Sequence, residues 1–388
     1  MKIGFLTTDS REVLKSYRTP APHFGTAPEA LLQGFARLPE AEVHVVSCIR
    51  QPVAAPEKLA PNIFFHSLHV PKIGWMRTAY QGCVRAVRKK LRAIRPDIVH
   101  GQGTELDCAL DAVLSGFPNV VTIHGNMRLI AQVNHARPFS FPWLAARLER
   151  LTIPRSAGVV CITRYTQQAV MDLARHTWVV PNAVDGSFFE VNAALDPGAP
   201  ARLLCVAHVC LRKNQNAFIR ALDPLARKHK FELRFCGEAS DKNPYGREFF
   251  SLVRARPWCA YGGSASREEL KALLRNTTVL VLPSLEDNCP MTVLEAMAAG
   301  VPVVAAEVGG LPDLIEPNKT GIFCNPLDPG SMATAVEKLL VNPTAAAEIA
   351  RQARASARER FHPEVVAGRH LEIYREVLNR SGDASLHR

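Results

Sequence analysis

Paired metal-ligand cysteines, long apolar runs and low-complexity tracts are all missing from this chain of 388 residues. The ten cysteines form no C-x-x-C pair and no cluster with histidine, so zinc or a disulfide framework is not expected. Several, such as Cys161, Cys205 and Cys236, sit in apolar stretches, where reduced cysteine acts as a small hydrophobe. That usage fits a reducing compartment, and a cytoplasmic location is expected. No apolar run approaches the ~20 residues of a transmembrane helix. The first residues, MKIGFLTTDS, enter a strand-like pattern with no apolar h-region of a signal peptide.

What is present is ordinary in amount and uneven in placement. The length suits two domains, each able to bury its own core. The formal net charge of +11 lies mostly in the first half: about +9 over residues 1–185 (22 basic less 13 acidic), against +2 for the remainder (25 less 23). Part of the excess falls on one predicted helix, about Ala79 to Ile94 and its flank. There Arg85, Arg88, Lys89, Arg92 and Arg95 recur at three- and four-residue steps opposite Val84, Val87, Leu91 and Ile94. Such a face is either simply solvated or a patch for an anionic membrane surface or a polyanionic acceptor. Nucleic acid is not expected, because no aromatics interleave with the cations and no recognition module accompanies them.

Strand-like runs alternate with amphipathic helical runs along the whole chain, which predicts an α/β architecture of open parallel sheets covered by helices. In the first half the predicted strands are Lys2–Thr7, Glu42–Ser47, Ile98–His100, Val120–Ile123 and Gly158–Ile162. The run Val179 to Asp185 reads as a linker. The alternation then restarts with Leu203–Ala207, Glu232–Gly237, Cys259–Tyr261, Val279–Leu282 and Val301–Ala305. The expected domains are 1–185 and 186–362, with a cleft where the carboxyl ends of the two sheets face each other.

The most informative segment runs from Val279 to Leu314. A buried strand, Val279–Leu282, breaks at Pro283-Ser284 into the acidic loop Glu286-Asp287-Asn288. A helix is predicted from about Pro290 to Ala299, closed by Gly300, and a second buried strand follows before Gly309-Gly310. Two carboxylates, Asp287 and Glu295, thus flank a helix N-terminus, where free N–H groups favour anionic or polyhydroxyl ligands. This segment resembles the donor-sugar motif of the retaining glycosyltransferases of family 4. The family form is Pro-Ser-x-x-Glu, seven further residues, then Glu-Ala-Met-Ala-x-Gly-x-Pro-Val-Val. The first acid of the pair falls on Asp287, where the family usually has Glu, and the second on Glu295; Glu286 lies one residue too early.

The resemblance covers nearly the whole chain and implies the GT-B fold, two facing Rossmann-like domains. It implies that the C-terminal segment, about 363–388, crosses back to complete the first domain. It also assigns roles. In Ala207-His208-Val209-Cys210-Leu211-Arg212-Lys213-Asn214, Lys213 matches the lysine that grips the donor diphosphate. His208 stands where arginine is usual and Ala207 where glycine is, so Arg212 is expected to assist. His124, at the tip of Val120–Ile123, matches a histidine contacting the donor sugar; His100 ends the preceding strand in a similar way. Gly25 matches the loop approaching the phosphates, with one glycine where a pair is usual. Gly237 matches the glycine that lets a loop pass under the nucleotide. Glu286, just before the first acid, and Asn288, Cys289, Pro290, Met291 and Thr292, between the two acids, are expected to bind the donor. Asp313 replaces a common Glu, and Tyr261-Gly262-Gly263-Ser264 are expected near the base.

The implied reaction is transfer of a hexose-type sugar from a nucleotide-diphosphate sugar to a hydroxyl acceptor, with retention and without a protein nucleophile. No cofactor or metal is expected, since no Asp-x-Asp stands in the loops expected to face the cleft. The expected partners are the nucleotide sugar and a sugar or lipid-linked sugar acceptor, in surface polysaccharide or glycoconjugate synthesis. Association with the inner face of the plasma membrane would run through the basic helix. A sugar phosphorylase of the same fold and a non-catalytic sugar-nucleotide-binding protein are the competing readings.

Overall fold

A computed structural model describes residues 1–133, 135–192 and 199–386, with side chains described up to 380. The chain divides into two compact units, residues 1–183 with 362–388, and residues 184–361.

The first unit is built on an eight-stranded sheet: β1 (Lys2–Leu6), β2 (Glu42–Ile49), β3 (Lys58–Ala60), β4 (Ile63–His69), β5 (Ile98–Gln102), β6 (Asn119–Ile123), β7 (Val159–Cys161) and β8 (Thr177–Val179). Their spatial order is β3-β4-β2-β1-β5-β6-β7-β8, and only the β3–β4 pair is antiparallel. Strands β1, β5, β6 and β7 are buried almost throughout, as parallel strands covered on both faces must be. The C-terminal helix Pro363–Leu386 belongs to this unit and packs on helix Thr26–Ala36; residues 387 and 388 lie outside the described residues. The approach requires Gly34, because a Cβ there would lie 2.0 Å from the Pro363 carbonyl oxygen.

The second unit carries six parallel strands: β9 (Ala201–Val206), β10 (Phe231–Cys236), β11 (Cys259–Tyr261), β12 (Val279–Leu282), β13 (Val303–Ala306) and β14 (Ile322–Cys324). Their order is β11-β10-β9-β12-β13-β14, the doubly wound arrangement that runs outward from a central pair. Its core packs Phe218, Phe235 and Phe249 against the strand side chains. In such a sheet the chain leaves β9 and β12 in opposite directions, so the carboxyl ends of these neighbours open a crevice.

Several elements differ from expectation at their ends. Helix Gln81–Ile94 starts two residues late, because Ala79 and Tyr80 both adopt left-handed backbone. Strand β5 runs on to Gln102, which places His100 inside the sheet rather than at its tip. Strands β3 and β4 fall within residues 50–80, for which the sequence predicts no strand, and β8 ends on Val179, the first residue of the expected linker.

Candidate functional site

The loops leaving β9 and β12 meet at the crevice of the second sheet. After β9 the chain passes Ala207 and His208 into the short turn Leu211–Lys213. Asn214 ends that turn in the left-handed region, φ 61°, with its side chain bonded to the Pro326 carbonyl. After β12, Ser284 to Asn288 form the acidic loop. Leu285 N–H donates to the Arg212 carbonyl at 2.7 Å, so the two loops are joined through backbone.

This juxtaposition brings Lys213 and Asp287 into direct contact. Lys213 Nζ donates to Asp287 Oδ2, and Ser284 Oγ donates to the same oxygen at 3.1 Å. Both side chains are largely buried, 11% and 9% exposed, so this pair is shielded from solvent screening in a way that a surface pair is not. Arg212 adds a second cation: its Nη1 lies 3.8 Å from Asp287 Oδ1, 3.3 Å from Glu286 Oε2 and 3.0 Å from the Glu286 carbonyl. Glu286 therefore holds Arg212 at the surface while Asp287 holds Lys213 inside. The Asp287 backbone is clamped from below: its carbonyl accepts from Gly310 N–H at 3.0 Å. Gly309, at φ 57°, comes so close that a Cβ would sit 1.9 Å from the same oxygen.

Gly237 is required for a similar reason. It follows β10 at φ 137°, and a Cβ there would lie 2.1 Å from the Ala207 carbonyl oxygen. Tyr261 donates its hydroxyl to the Gly237 carbonyl at 2.9 Å. His208 is exposed, with Nδ1 3.8 Å from Glu238 Oε2. Asn288, Met291 and Thr292 are half-buried, Cys289 and Pro290 buried. Met291 and Thr292 open the helix Met291–Ala299, whose first N–H groups lack intrahelical acceptors.

Glu295 sits in the second turn of that helix, 4% exposed. Burial pushes its carboxyl up to about 7; Arg267 works against this and Asp185 adds to it. Arg267 is itself committed to Asp185, Nη1 to Oδ2 at 2.7 Å. Neither Arg267 nor Asp185 had been singled out in the sequence, since their relation to Glu295 depends on how helix Arg267–Arg275 packs.

The first unit has its own recess beside helix Thr26–Ala36, mostly apolar in lining (Ala27, Leu31 and Val180 among others), into which Gln102, His124, Asn182 and His370 bring polar groups. Gly25 is the N-cap of that helix and exposed; a Cβ there would only touch Pro28 at 3.6 Å. Nothing within the fold demands glycine at 25. His124 donates from Nε2 to Gln102 Oε1 at 2.9 Å. Burial lowers its pKa to about 4, although a hydrogen bond with Asn182 raises it, so the imidazole is neutral at pH 7. Glu105 Oε1 accepts from the next N–H, Gly125, at 3.0 Å and fixes the turn.

His100 corrects an expectation. It is fully buried, its ring nitrogens engaged by Tyr374 and Thr122, and it faces no open space. A second departure lies on the far side of β5. Cys48, Cys83 and Asp107, scattered in sequence, bring ligand atoms within 4.8 Å of one another, a group that could hold a metal ion. A hydrogen bond with Cys83 and burial push the Cys48 thiol up, and burial pushes the carboxyls of Asp107 and neighbouring Asp111 up, although the hydrogen bonds that Asp107 makes with Cys48, Asp111 and Cys83 work against its shift.

The sequence profile of the family described as "Glycosyl transferases group 1" matches residues 190–359, and that of "Glycosyltransferase Family 4" matches residues 29–188. Glycogen synthase of Mycobacterium tuberculosis is 32% identical over 200 residues, 50% of this chain and 47% of the relative. The chain thus aligns with about half the length of that relative. Sucrose-phosphate synthase from Thermosynechococcus elongatus superposes with a TM-score of 0.76 at 17% identity, covering 98% of this chain and 100% of that one. Anabaena HepE, solved with UDP-glucose, superposes at 0.68 with 16% identity, over 97% and 100% of the two chains.

Proposed function

Since this chain belongs to the GT-B glycosyltransferases of the family 4 type, we propose that it moves a hexose-type sugar from a nucleotide-diphosphate sugar to a hydroxyl acceptor. The observation that carries the proposal is the meeting of Lys213 and Asp287 at the crevice between β9 and β12. A cation and a carboxylate held side by side suit a ligand that presents a phosphate next to a sugar hydroxyl. UDP and UDP-glucose occupy the HepE structures, which supports a nucleotide sugar as the donor class.

In this reading Lys213, assisted by Arg212 and His208, stabilises charge growing on the departing β-phosphate. Asp287 accepts from a sugar hydroxyl through Oδ1, Oδ2 being taken by Lys213 and Ser284. Glu295 accepts from the ribose. The anomeric C–O bond to phosphate breaks, and the acceptor oxygen bonds to the same carbon from the same face. Its proton passes to the leaving phosphate, so no protein nucleophile is used and configuration is retained. Within the first unit, His124 and the Gly25 loop are the residues that the family pattern assigns to the donor. Lys213 and Arg212 provide the cationic charge that a metal would otherwise supply.

A thermal-shift screen against UDP-, GDP- and ADP-hexoses, run in EDTA, tests donor class and metal independence together. A true donor at 100 times its Kd stabilises by about 2.7 kcal/mol, a rise of roughly 5–10 °C in Tm for a unit of this size. Silence toward all three would reject the nucleotide-sugar reading. A response that appears only when magnesium replaces EDTA would reject metal independence.

The acceptor side is proposed to be lipid-linked and to lie at an anionic membrane surface, in surface polysaccharide or glycoconjugate synthesis. Arg85, Arg88, Lys89, Arg92 and Arg95 are all exposed, while Val84, Val87 and Leu91 are buried. No ion pair engages those five cations among the described residues. Beside the helix start, Ile73 is 73% and Met76 39% exposed, apolar tips next to Lys72 and Arg77. No described helix is long and apolar enough to cross a membrane, so attachment would be peripheral. Co-sedimentation with phosphatidylglycerol vesicles is expected to exceed that with phosphatidylcholine and to fall with salt. Charge reversal at Arg88 and Arg92 should abolish the difference; equal binding to both lipids would refute the membrane role.

A further inference from the structure

The side chains behind His124 form a connected assembly that reaches the C-terminal helix. Gln102, the last residue of β5, accepts from His124 through Oε1 at 2.9 Å. Its amide nitrogen lies against the His100 ring, 3.0 Å from Nε2 and 3.3 Å from Nδ1. That ring is held at both nitrogens, by Thr122 Oγ1 at 2.7 Å and Tyr374 Oη at 2.5 Å. His370, one turn before Tyr374, stacks on it with centroids 5.3 Å apart and planes 28° from parallel. His370 is pinned in turn through Nδ1 to the Val366 carbonyl at 2.8 Å. His100, Gln102, Tyr374 and His370 are all nearly or fully buried.

We propose that Gln102, His100 and Tyr374 are positioning residues that set the orientation and tautomer of His124, making the C-terminal helix a working part of the recess that holds His124. The direction of the bonds carries the argument. An amide oxygen can only accept, so His124 Nε2 must bear the proton when it faces Gln102 Oε1. That holds only while the amide keeps its orientation. With its nitrogen against His100 and its oxygen toward His124, a flip would turn the amide N–H toward His124 Nε2 and favour the other tautomer. Tyr374 and Thr122 hold the His100 ring in turn. The residues span 274 positions of sequence, so closing this assembly requires the C-terminal helix to have docked. The titratable groups acting on His100 are His370 and His124, with Tyr374 at its Nδ1; His124 itself interacts with His100 and His370 and is hydrogen-bonded by Asn182 as well as Gln102.

The inference rests on the reading of His124 as a participant in sugar transfer, and the test keeps the two apart. Side-chain nitrogen NMR on the full chain, labelled in histidine, reads the His124 tautomer and titration without any substrate. The wild type should show one Nε2-protonated neutral form from pH 8 down to about pH 5. In Gln102→Leu the single tautomer should give way to a mixture. In Gln102→Glu, a carboxylate beside the ring should raise the titration by a unit or more. Tyr374→Phe, which keeps the ring stack, should produce a smaller mixture. An unchanged His124 signal in all three folded variants would overturn the proposal. UDP release from UDP-glucose then tests the premise: His124→Ala should lose at least tenfold in kcat, and His124→Ala with Gln102→Leu should lose no more. Strictly additive losses in that double variant would also overturn the positioning role. Full activity of His124→Ala would instead remove the premise and leave the NMR result standing.

Discussion

Lys213→Ala is expected to lower kcat for sugar transfer by about 10²–10³-fold, the range for deleting one preorganised group that stabilises developing charge. The physical basis is its enclosure. Lys213 is only 11% exposed, anchored to Asp287, and held on a turn locked by the left-handed Asn214. A flexible surface lysine would have to be immobilised at each turnover; this one is already in place. Asp287→Asn separates two duties. If the carboxylate serves mainly to seat Lys213, the double variant should resemble Lys213→Ala, and the affinity for the nucleoside diphosphate alone should fall in both single variants. If Asp287 also takes a sugar hydroxyl, Asp287→Asn should weaken the nucleotide sugar more than the nucleoside diphosphate, and the losses should add. Asp287→Ala is the harsher change, because it leaves an ammonium buried without its counter-ion. For fully buried pairs that costs about 3–5 kcal/mol of stability; here some 10% exposure reduces it. Unchanged turnover in Lys213→Ala would sink the assignment of the diphosphate to this crevice.

Individual residues of the site were legible from local pattern, but their pairing was not. Val279–Leu282 reads as a buried strand because four apolar residues run between breakers, and it is one. Gly300 reads as a helix end and takes φ 72° there. Lys213 and Asp287 each stood out by position relative to a strand, yet 74 residues separate them. Their contact exists only because β9 and β12 are neighbours from which the chain departs in opposite directions, a property of strand order. The edge hairpin β3–β4 escaped because its first strand is three exposed or half-exposed residues long, too short for any period. Strand β8 escaped for the same reason, being three residues just before a Pro-Asn pair. His100 was misplaced by two residues of strand length: Gly101 and Gln102 look like a turn in sequence, but β5 and β6 pair through them. The cluster of Cys48, Cys83 and Asp107 has no spacing to recognise, because three different elements supply it.

Glu295→Gln is expected to stabilise the protein at pH 8 while weakening nucleotide binding. The sign follows from the raised carboxyl. Glu295 is held near 7 in the folded chain against 4.5 as its ordinary value. Between those two values the unfolded chain has lost the proton and the folded chain keeps it. Stability is therefore lost as pH rises through this window, and the loss is complete above pH 7. At about 1.4 kcal/mol per unit, the total is roughly 3 kcal/mol. A neutral glutamine escapes it, so the Tm of Glu295→Gln should exceed that of the wild type by roughly 5 °C or more at pH 8, and the two should converge near pH 4. Binding runs the other way. A ribose hydroxyl donates to a carboxylate better than to a carboxylic acid, so the bound state holds Glu295 ionised. Nucleotide affinity in the wild type should then rise with pH up to about 7 and level off above it. Calorimetry at pH 7 in buffers of different ionisation enthalpy should show release of about half a proton per nucleotide bound. In Glu295→Gln the proton release should vanish and affinity should fall by about 10–100-fold, the worth of a charge-assisted hydrogen bond. A pH-independent affinity in the wild type would mean that Glu295 does not meet the nucleotide. The stability difference would persist even so, because it depends only on the burial of the carboxyl.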